Sequence, residues 1–150
     1  MPNQLSETEK AYLAGFIDGE GCIFIKRRNE NSTWLQLMVT ISQKDVALLD
    51  ELKDMIGEKS YLRRPTKARS AGNLCYASGQ AYRILKAIYP YLRLKKMQAE
   101  VSIEFYEKYS FLSKGRQPKN QKMWQSNPDL LEQREGCFWA VKRLKELSYA

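Results

Sequence analysis

The chain has 150 residues, 43% of them hydrophobic, which suits one folded domain with a sizeable core and argues against disorder. The complete absence of histidine excludes Ser-His-Asp and Cys-His catalysis, zinc fingers with histidine ligands and the histidine-dependent nucleases. A formal net charge of +8 indicates an anionic partner, such as a nucleic acid.

The first predicted element is a helix over residues 7–19. Ser6 and Glu9 form a capping box at its start, in which each side chain binds the backbone N–H of the other residue. Small residues recur every four positions along one side of this helix, at Ala11, Gly15 and Gly19. We predict that a second backbone approaches this side closely, because tight helix pairs need small residues at that spacing.

Two strands follow, over residues 22–28 and 34–42, and both alternate between two kinds of side chain. The odd-numbered positions, such as Ile23 and Val39, are apolar and are predicted to face the core. The opposite face of the sheet then carries long polar, aromatic or polarisable side chains. Its members are Phe24, Lys26, Arg28, Trp34, Gln36, Met38 and Thr40.

The second half of the predicted core repeats this arrangement of helix and strands. A helix is predicted over residues 43–56, with Ser42 as its N-cap and Gly57 as its C-terminal stop. The later predicted elements are strands near 59–64 and 73–78, a helix over 79–89 that Pro90 ends, and a helix over 94–112.

The order α-β-β-α-β-β-α, with helices appended, predicts an α+β fold in which helices cover one face of a four-stranded antiparallel sheet. The core domain is placed at residues 1–112, and a basic loop and helix at 113–150 are expected to pack on the same domain. Asn127 is the expected cap of that last helix, and Pro128 is its first residue. Its apolar residues are Leu130, Leu131, Phe138, Val141, Leu144 and Leu147.

The basic charge is concentrated in two stretches without Asp or Glu, residues 59–99 and 108–128. Cations segregated in this way are the pattern expected for binding a polyphosphate chain. A solvated basic face is the alternative that charge alone leaves open. A bare, basic antiparallel sheet also suits a DNA groove, because a two-stranded ribbon fits the major groove.

Residues 13–21 read Leu-Ala-Gly-Phe-Ile-Asp-Gly-Glu-Gly and place two carboxylates at the end of the first helix. Each carboxylate is disfavoured there by ~0.3–1 kcal/mol, because a helix C-terminus carries partial negative charge. A helix that accepts this penalty indicates carboxylates kept for chemistry. The stretch resembles, in register at every position, the signature of the LAGLIDADG homing endonucleases. The resemblance covers residues 6–98 and thins out afterwards.

The resemblance implies the αββαββα core with a saddle-shaped sheet, and a site-specific endonuclease that cuts both strands of a long, nearly palindromic DNA across its minor groove. It implies Mg²⁺ as the metal, with Mn²⁺ expected to substitute, and no small-molecule cofactor. One signature copy in so short a chain implies a homodimer, with Ala11, Gly15, Asp18 and Gly19 at its interface. An intron maturase, or a relative that binds DNA or RNA without cutting, is the alternative.

The same resemblance implies three catalytic residues. Glu20 stands at the acidic position that binds the metal, and a carboxylate is the hard ligand that Mg²⁺ prefers. Gln43 stands where relatives place the glutamine that positions the attacking water. Lys95 matches the active-site cation that stabilises developing phosphate charge. The expected DNA contacts are the sheet-face residues named above, from Phe24 to Thr40, together with Arg63, Lys67, Arg69, Arg93 and Lys96.

The cysteines and the apolar runs bear on the compartment. No apolar run approaches the ~18 residues of a membrane span, and no signal-peptide pattern begins the chain. Cys22, Cys75 and Cys137 are odd in number and widely spaced, so they favour neither disulfides nor a C-x-x-C metal site. We therefore expect an intracellular, reducing compartment and no membrane partner.

Overall fold

The computed structural model describes residues 4–30, 32, 34–113 and 128–148. Its first seven elements confirm the predicted αββαββα order and the α+β class. In chain order the elements are α1 (Glu7–Glu20), β1 (Gly21–Arg27), β2 (Leu35–Gln43), α2 (Val46–Ile56), β3 (Tyr61–Arg63), β4 (Gly72–Ala77), α3 (Ser78–Ile88), α4 (Lys96–Ser113) and α5 (Pro128–Ser148). A 3-10 turn, Tyr89–Tyr91, stands between α3 and α4. None of the described helices is long and apolar enough to cross a membrane.

The four strands form one antiparallel sheet in the order β1-β2-β4-β3. Thr40 of β2 lies opposite Cys75 of β4, and Arg63 of β3 lies opposite Asn73 of β4. Opposed residues point to the same side of a sheet. The even-numbered residues of β1 and β2 therefore share a face with the odd-numbered residues of β3 and β4, which sequence alternation left ambiguous.

The opposite face of the sheet forms the core with the helices. The odd-numbered residues of β2 from Leu35 to Ile41 are at most 1% exposed, and Leu74 and Tyr76 of β4 continue the buried layer. Helix α1 covers that layer with residues such as Ile17, which is fully buried. Each such side chain contributes about 1.5–3 kcal/mol to folding when it leaves water. The apolar layer thus holds α1 rigidly over the sheet.

The boundary between β2 and α2 differs from the prediction. Ser42 and Gln43 pair with Asn73 and Gly72, so β2 continues through both residues and Ser42 is not a helix cap. Helix α2 begins at Val46, and Asp45 is its N-cap, with Oδ1 accepting the N–H of Leu48 at 3.2 Å. Pairing with β4 is the reason, since it occupies the backbone groups that a longer helix would need. Gly57 ends α2 in the left-handed conformation, φ 70°, as predicted.

Helix α5 packs against α4 and against β1, an edge strand of the sheet. Arg134 anchors it: the side chain is 2% exposed, and Nη2 donates to the carbonyl oxygen of Leu35 at 3.3 Å. Burial lowers the pKa of Arg134 to about 10. Glu135 forms an ion pair with Arg27 of β1. These contacts fix α5 beside the sheet.

Helix α5 continues through Gly136. The predicted apolar set of this helix needs one correction. Leu147 does not belong to the buried side, because it is 60% exposed while Val141 is 1% exposed. A helix turns ~100° per residue, so the two residues lie about 120° apart around its axis. The expected cap Asn127 and the basic loop that precedes it lie outside the described residues.

Candidate functional site

Glu20 is the last residue of α1, and its side chain is exposed. A tight junction joins it to the sheet, because the N–H of the next residue, Gly21, donates to the carbonyl oxygen of Ile17. A Cβ on Gly21 would lie 2.8 Å from the Ile17 Cα, so this position requires glycine. The last turn of α1 contains no basic residue. The junction therefore presents the Glu20 carboxylate to solvent at a defined point beside the start of β1.

Asp18 and Lys95 tie this junction to the start of α4. The carboxylate of Asp18 accepts the backbone N–H of Arg93 and that of Lys95, both at 2.9 Å. In the other direction, Lys95 Nζ donates to the carbonyl oxygens of Ile17 at 2.9 Å and Asp18 at 2.7 Å. A cation at a helix C-terminus is favoured by the helix dipole. Lys95 thus caps α1, and Asp18 is bonded within its own chain.

Lys95 is a buried lysine: the residue is 5% exposed to solvent. Burial lowers the pKa of Lys95, and the negative charges of Asp18 and Glu20 oppose that shift. Lys95 therefore lies within electrostatic reach of Glu20, and two of its three N–H bonds are already directed at backbone carbonyls. Its catalytic role stays a prediction.

Gln43 is the last residue of β2 and lies at the same end of the sheet as Glu20. Gly21, which follows Glu20, pairs with Ile41, so Gln43 extends two residues past that pair. Its Oε1 accepts the backbone N–H of Lys44 at 2.8 Å. This bond occupies the carbonyl oxygen, and the amide nitrogen has no partner among the described residues. Glu20 and Gln43 therefore lie at one end of the sheet, and Lys95 is bonded to the end of α1 that adjoins it.

The bare face of the sheet forms a groove of about 650 Å³ to which all four strands contribute. Lys26 stands on the edge strand β1, and Arg63 stands on the other edge strand, β3. The central strands supply a floor of uncharged side chains between these cations, formed by Met38, Thr40, Asn73, Cys75 and Ala77. Among the predicted DNA contacts, the groove is lined by Phe24, Lys26, Met38, Thr40 and Arg63.

Sequence reasoning missed seven residues that line this groove, namely Lys59, Ser60, Tyr61, Asn73, Cys75, Ala77 and Gln80. The strand β3 has three residues, which is too short for alternation to reveal its faces. The faces of β3 follow instead from the pairing of Arg63 with Asn73, which only the folded sheet shows.

The remaining predicted contacts lie around the groove. Gln36 shares the face but is bonded there, with Nε2 donating to Ser78 Oγ at 3.0 Å. Arg28 and Trp34 are exposed at the turn between β1 and β2. Lys67 and Arg69 are exposed in the β3–β4 hairpin, which two backbone hydrogen bonds between Thr66 and Arg69 close. Arg93 is exposed beside Lys95, and Lys96 Nζ lies 5.1 Å from the centre of the Tyr89 ring.

The small-residue side of α1 is open. Ala11, Gly15 and Gly19 are exposed, and a Cβ added at either glycine would meet nothing within 4 Å. Large apolar side chains are exposed on α1 and around the start of α4. They are Tyr12 at 49%, Leu94 at 59% and Met97 at 56% exposure. This surface, called the α1 face below, combines a flat backbone with unburied apolar area.

The described residues offer few ligands for a divalent metal. Within the described residues, no group of three or more Asp, Glu, Cys or His side chains is arranged to hold a metal ion. Glu20 supplies an exposed, hard oxygen donor that no other described residue engages by hydrogen bond or ion pair. One such donor fits Mg²⁺, which keeps several waters and takes one or two carboxylates plus phosphate oxygens.

This chain belongs to the LAGLIDADG endonuclease family, whose model matches residues 13–116. No curated protein matches it at a significant level. The match confirms the family predicted from residues 13–21 and assigns the chain to a class of nucleases.

Solved structures share the fold. The homing endonuclease I-CvuI, in complex with its target, superposes with a TM-score of 0.71 at 20% identity, covering 91% of this chain and 82% of that chain. The archaeal intron-encoded homing endonuclease I-Vdi141I, complexed with DNA, gives 0.60 at 13% identity, covering 93% and 98%. I-SmaMI bound to cleaved DNA gives 0.57 at 19% identity, covering 78% of this chain and 48% of that chain. At these identities the likeness shows the fold.

Proposed function

We propose that this chain cuts both strands of a long, nearly palindromic DNA as a homodimer, with a divalent metal at Glu20. The observation that carries the proposal is the placement of an exposed carboxylate at the same end of a sheet whose bare face is a cation-lined groove. The groove faces a duplex and the carboxylate faces its scissile phosphate. Family membership and likeness to DNA complexes of homing endonucleases support this arrangement.

The groove is proposed to bind DNA through its edge cations and to read bases through its floor. Lys26 and Arg63 stand on opposite edge strands and match the two donors that pair with guanine. Met38 offers an apolar contact to a thymine methyl group. Gln36, bonded at Nε2 by Ser78, retains Oε1 and a second N–H for a base edge.

Cleavage is proposed to use residues at the junction of α1 with the sheet. Bound Mg²⁺, or Mn²⁺ in its place, would supply Lewis-acid stabilisation of the scissile phosphate. Glu20 would hold the metal, and the amide nitrogen of Gln43 would orient the attacking water. The clamp between Asp18 and Lys95 keeps the α1 terminus in place, so that Glu20 needs no rearrangement when DNA binds.

The homodimer is proposed to form through the α1 face. One carboxylate is too few for a two-strand cut, and a two-fold axis between paired α1 helices brings a second Glu20 to the first. The open backbone at Gly15 and Gly19 allows close approach, and the exposed Tyr12, Leu94 and Met97 would lose water on association. An isologous pair also matches a nearly palindromic target.

The test compares Glu20→Gln with the parent on a pool of duplexes with randomised, palindromically arranged half-sites. Glu20→Gln keeps the side-chain shape and removes the charge, so binding in Ca²⁺ should survive while cleavage in Mg²⁺ disappears. Glu51→Gln makes the same change on the exposed side of α2 and should cut like the parent. A Glu20→Gln protein that cuts at the parent's rate would contradict the metal assignment.

A further inference from the structure

The inner side of α5 places a cation against the sheet. The residues of α5 that pack inward are Arg134, Phe138 and Val141, and Lys145 continues that line at the helical spacing. Lys145 is half-buried, and its Nζ lies 5.8 Å from the centre of the Phe24 ring. The position faces β1, while the neighbouring Leu147 faces solvent. Lys145 therefore belongs to the packed side of α5.

Helix α5 runs antiparallel to β1, toward the candidate active site. Glu135 pairs with Arg27 at the end of β1, whereas Lys145 lies on Phe24, nearer its start. The ten residues from Glu135 to Lys145 rise about 15 Å, close to the length of five residues of a strand. The last turn of α5 thus lies level with the start of β1, the strand that follows Glu20.

Lys145 contacts a residue that lines the groove and lies within electrostatic range of Lys95. Phe24 lines the DNA-facing groove and also a smaller pocket of about 220 Å³, which Lys142 and Lys145 line from the other side. Burial is the main cause that lowers the pKa of Lys95, and the positive charge of Lys145 adds to it. The ammonium of Lys95 is engaged, because two of its N–H bonds are directed at carbonyls. The ammonium of Lys145, in contrast, makes no hydrogen bond or ion pair with another described residue and lies over the Phe24 ring.

We propose that Lys145 binds the DNA backbone phosphate next to the cleavage position, as an accessible cation at the end of the sheet that holds Glu20. This inference rests on the proposed function. It adds to the site a residue outside the segment that the family model matches, residues 13–116. A lysine whose stem lies on an aromatic ring keeps its head positioned while it exchanges water for phosphate.

The experiment measures how affinity for a random-sequence duplex, in Ca²⁺, depends on salt. Lys145→Met keeps the stem and removes the charge. Both subunits of the dimer lose one phosphate contact, so the slope of log affinity against log salt should fall by about 1.8 units, ~0.9 per phosphate. Lys53→Met, which removes an exposed lysine on α2, should keep the parent slope. Lys145→Arg should restore it.

Ethylation interference locates the contact on an intact duplex whose cleavage position is known from the parent's activity. Ethylation of the phosphate next to the cleavage position should weaken the parent and Lys145→Arg, but have no further effect on Lys145→Met. Lys145→Met with the parent's slope and interference pattern, and the parent's thermal unfolding, would overturn the inference. A parent that binds no duplex would instead overturn the proposed function, because the salt slope would then vanish for every variant.

Discussion

Lys95 and Asp18 hold each other through opposite ends: Lys95 Nζ donates to the Asp18 carbonyl oxygen at 2.7 Å, and the Asp18 carboxylate accepts the Lys95 backbone N–H at 2.9 Å. The two residues are 77 positions apart in the chain. Their reciprocal bonds join the C-terminus of α1 to the segment that begins α4. Asp18 of the signature and the predicted catalytic residue Lys95 thus have a structural role that precedes any chemistry.

Lys95→Met should lower the free energy of unfolding by about 1–3 kcal/mol, because buried carbonyl oxygens at the end of α1 lose a charged donor. Urea unfolding without DNA measures this change. Lys96→Met is the matched control, since its ammonium lies over the Tyr89 ring and binds no carbonyl of a described residue. An unchanged urea midpoint for Lys95→Met, with cleavage lost, would show that Lys95 acts on DNA and not on α1.

Gly15→Leu should leave the monomer folded and abolish dimerisation. No atom lies within 4 Å of a Cβ at Gly15, so the side chain has space within the chain but separates two paired α1 helices. Sedimentation velocity, with circular dichroism for the fold, measures both effects. Gly136→Leu is the control on α5, where a Cβ is equally unobstructed. Normal dimers of Gly15→Leu would place the interface elsewhere.

Gly21→Ala should destabilise the fold of the single chain, which Gly15→Leu should leave intact. A Cβ at Gly21 lies 2.8 Å from the Cα and 2.9 Å from the carbonyl oxygen of Ile17, and neither backbone atom yields without moving α1. The expected result is a loss of stability of about 1–3 kcal/mol, the cost typical of overpacking. Thermal or urea unfolding provides the measurement, and an unchanged midpoint would show that the junction relaxes.

Gln36→Ala should change the preferred base at one position in each half-site, at a cost of about 1–3 kcal/mol for a lost bidentate contact. Sequencing of the cleaved pool gives the profile. Ser78→Gly serves as the control: it removes the hydroxyl that accepts from Gln36 and relaxes a backbone at φ 51°, yet leaves the Gln36 amide on the same face of the sheet. A profile that Gln36→Ala does not alter would place Gln36 outside the interface.

Glu58→Gln should make the free energy of unfolding less dependent on pH in the acid range. Glu58 is 7% exposed and binds Arg83 at 2.5 and 3.0 Å, and this pairing lowers the pKa of the Glu58 carboxyl below 4.5. The pair therefore stabilises the fold fully above that ordinary value, and the contribution disappears as the pH falls through the lower folded value. Urea unfolding at several pH values should show parent and Glu58→Gln converging in acid.

Glu104→Gln is the matched control for this titration. Glu104 pairs with Lys108 on α4, but both side chains are about half exposed, at 49% and 59%. Exposed pairs of this kind contribute roughly 0.2–1 kcal/mol at most. Glu104→Gln should therefore follow the parent at every pH. A gap between parent and Glu58→Gln that persists in acid would mean that Glu58 stabilises the fold by packing and not by charge.

The sequence by itself determined the α+β order, the core face of β1 and β2, and the position of Glu20 at the end of α1. These features depend on local signals. A capping box, a period-two alternation and a helix stop act within a few residues, and burial against any apolar layer enforces them. The signature at residues 13–21 likewise specified the family, because its small and acidic residues stand together in the chain.

Tertiary structure alone decided which groups meet. Helix α2 begins at Val46 and not at the predicted residue 43, because Gln43 pairs with β4 and belongs to β2. The ammonium of Lys95, predicted to face phosphate, is directed at carbonyls of α1, and Lys145 arrives beside β1 from a helix beyond the family segment. Such partners lie far apart in the chain, so no local period encodes them. They are selected when packing leaves each buried polar group with one acceptable neighbour.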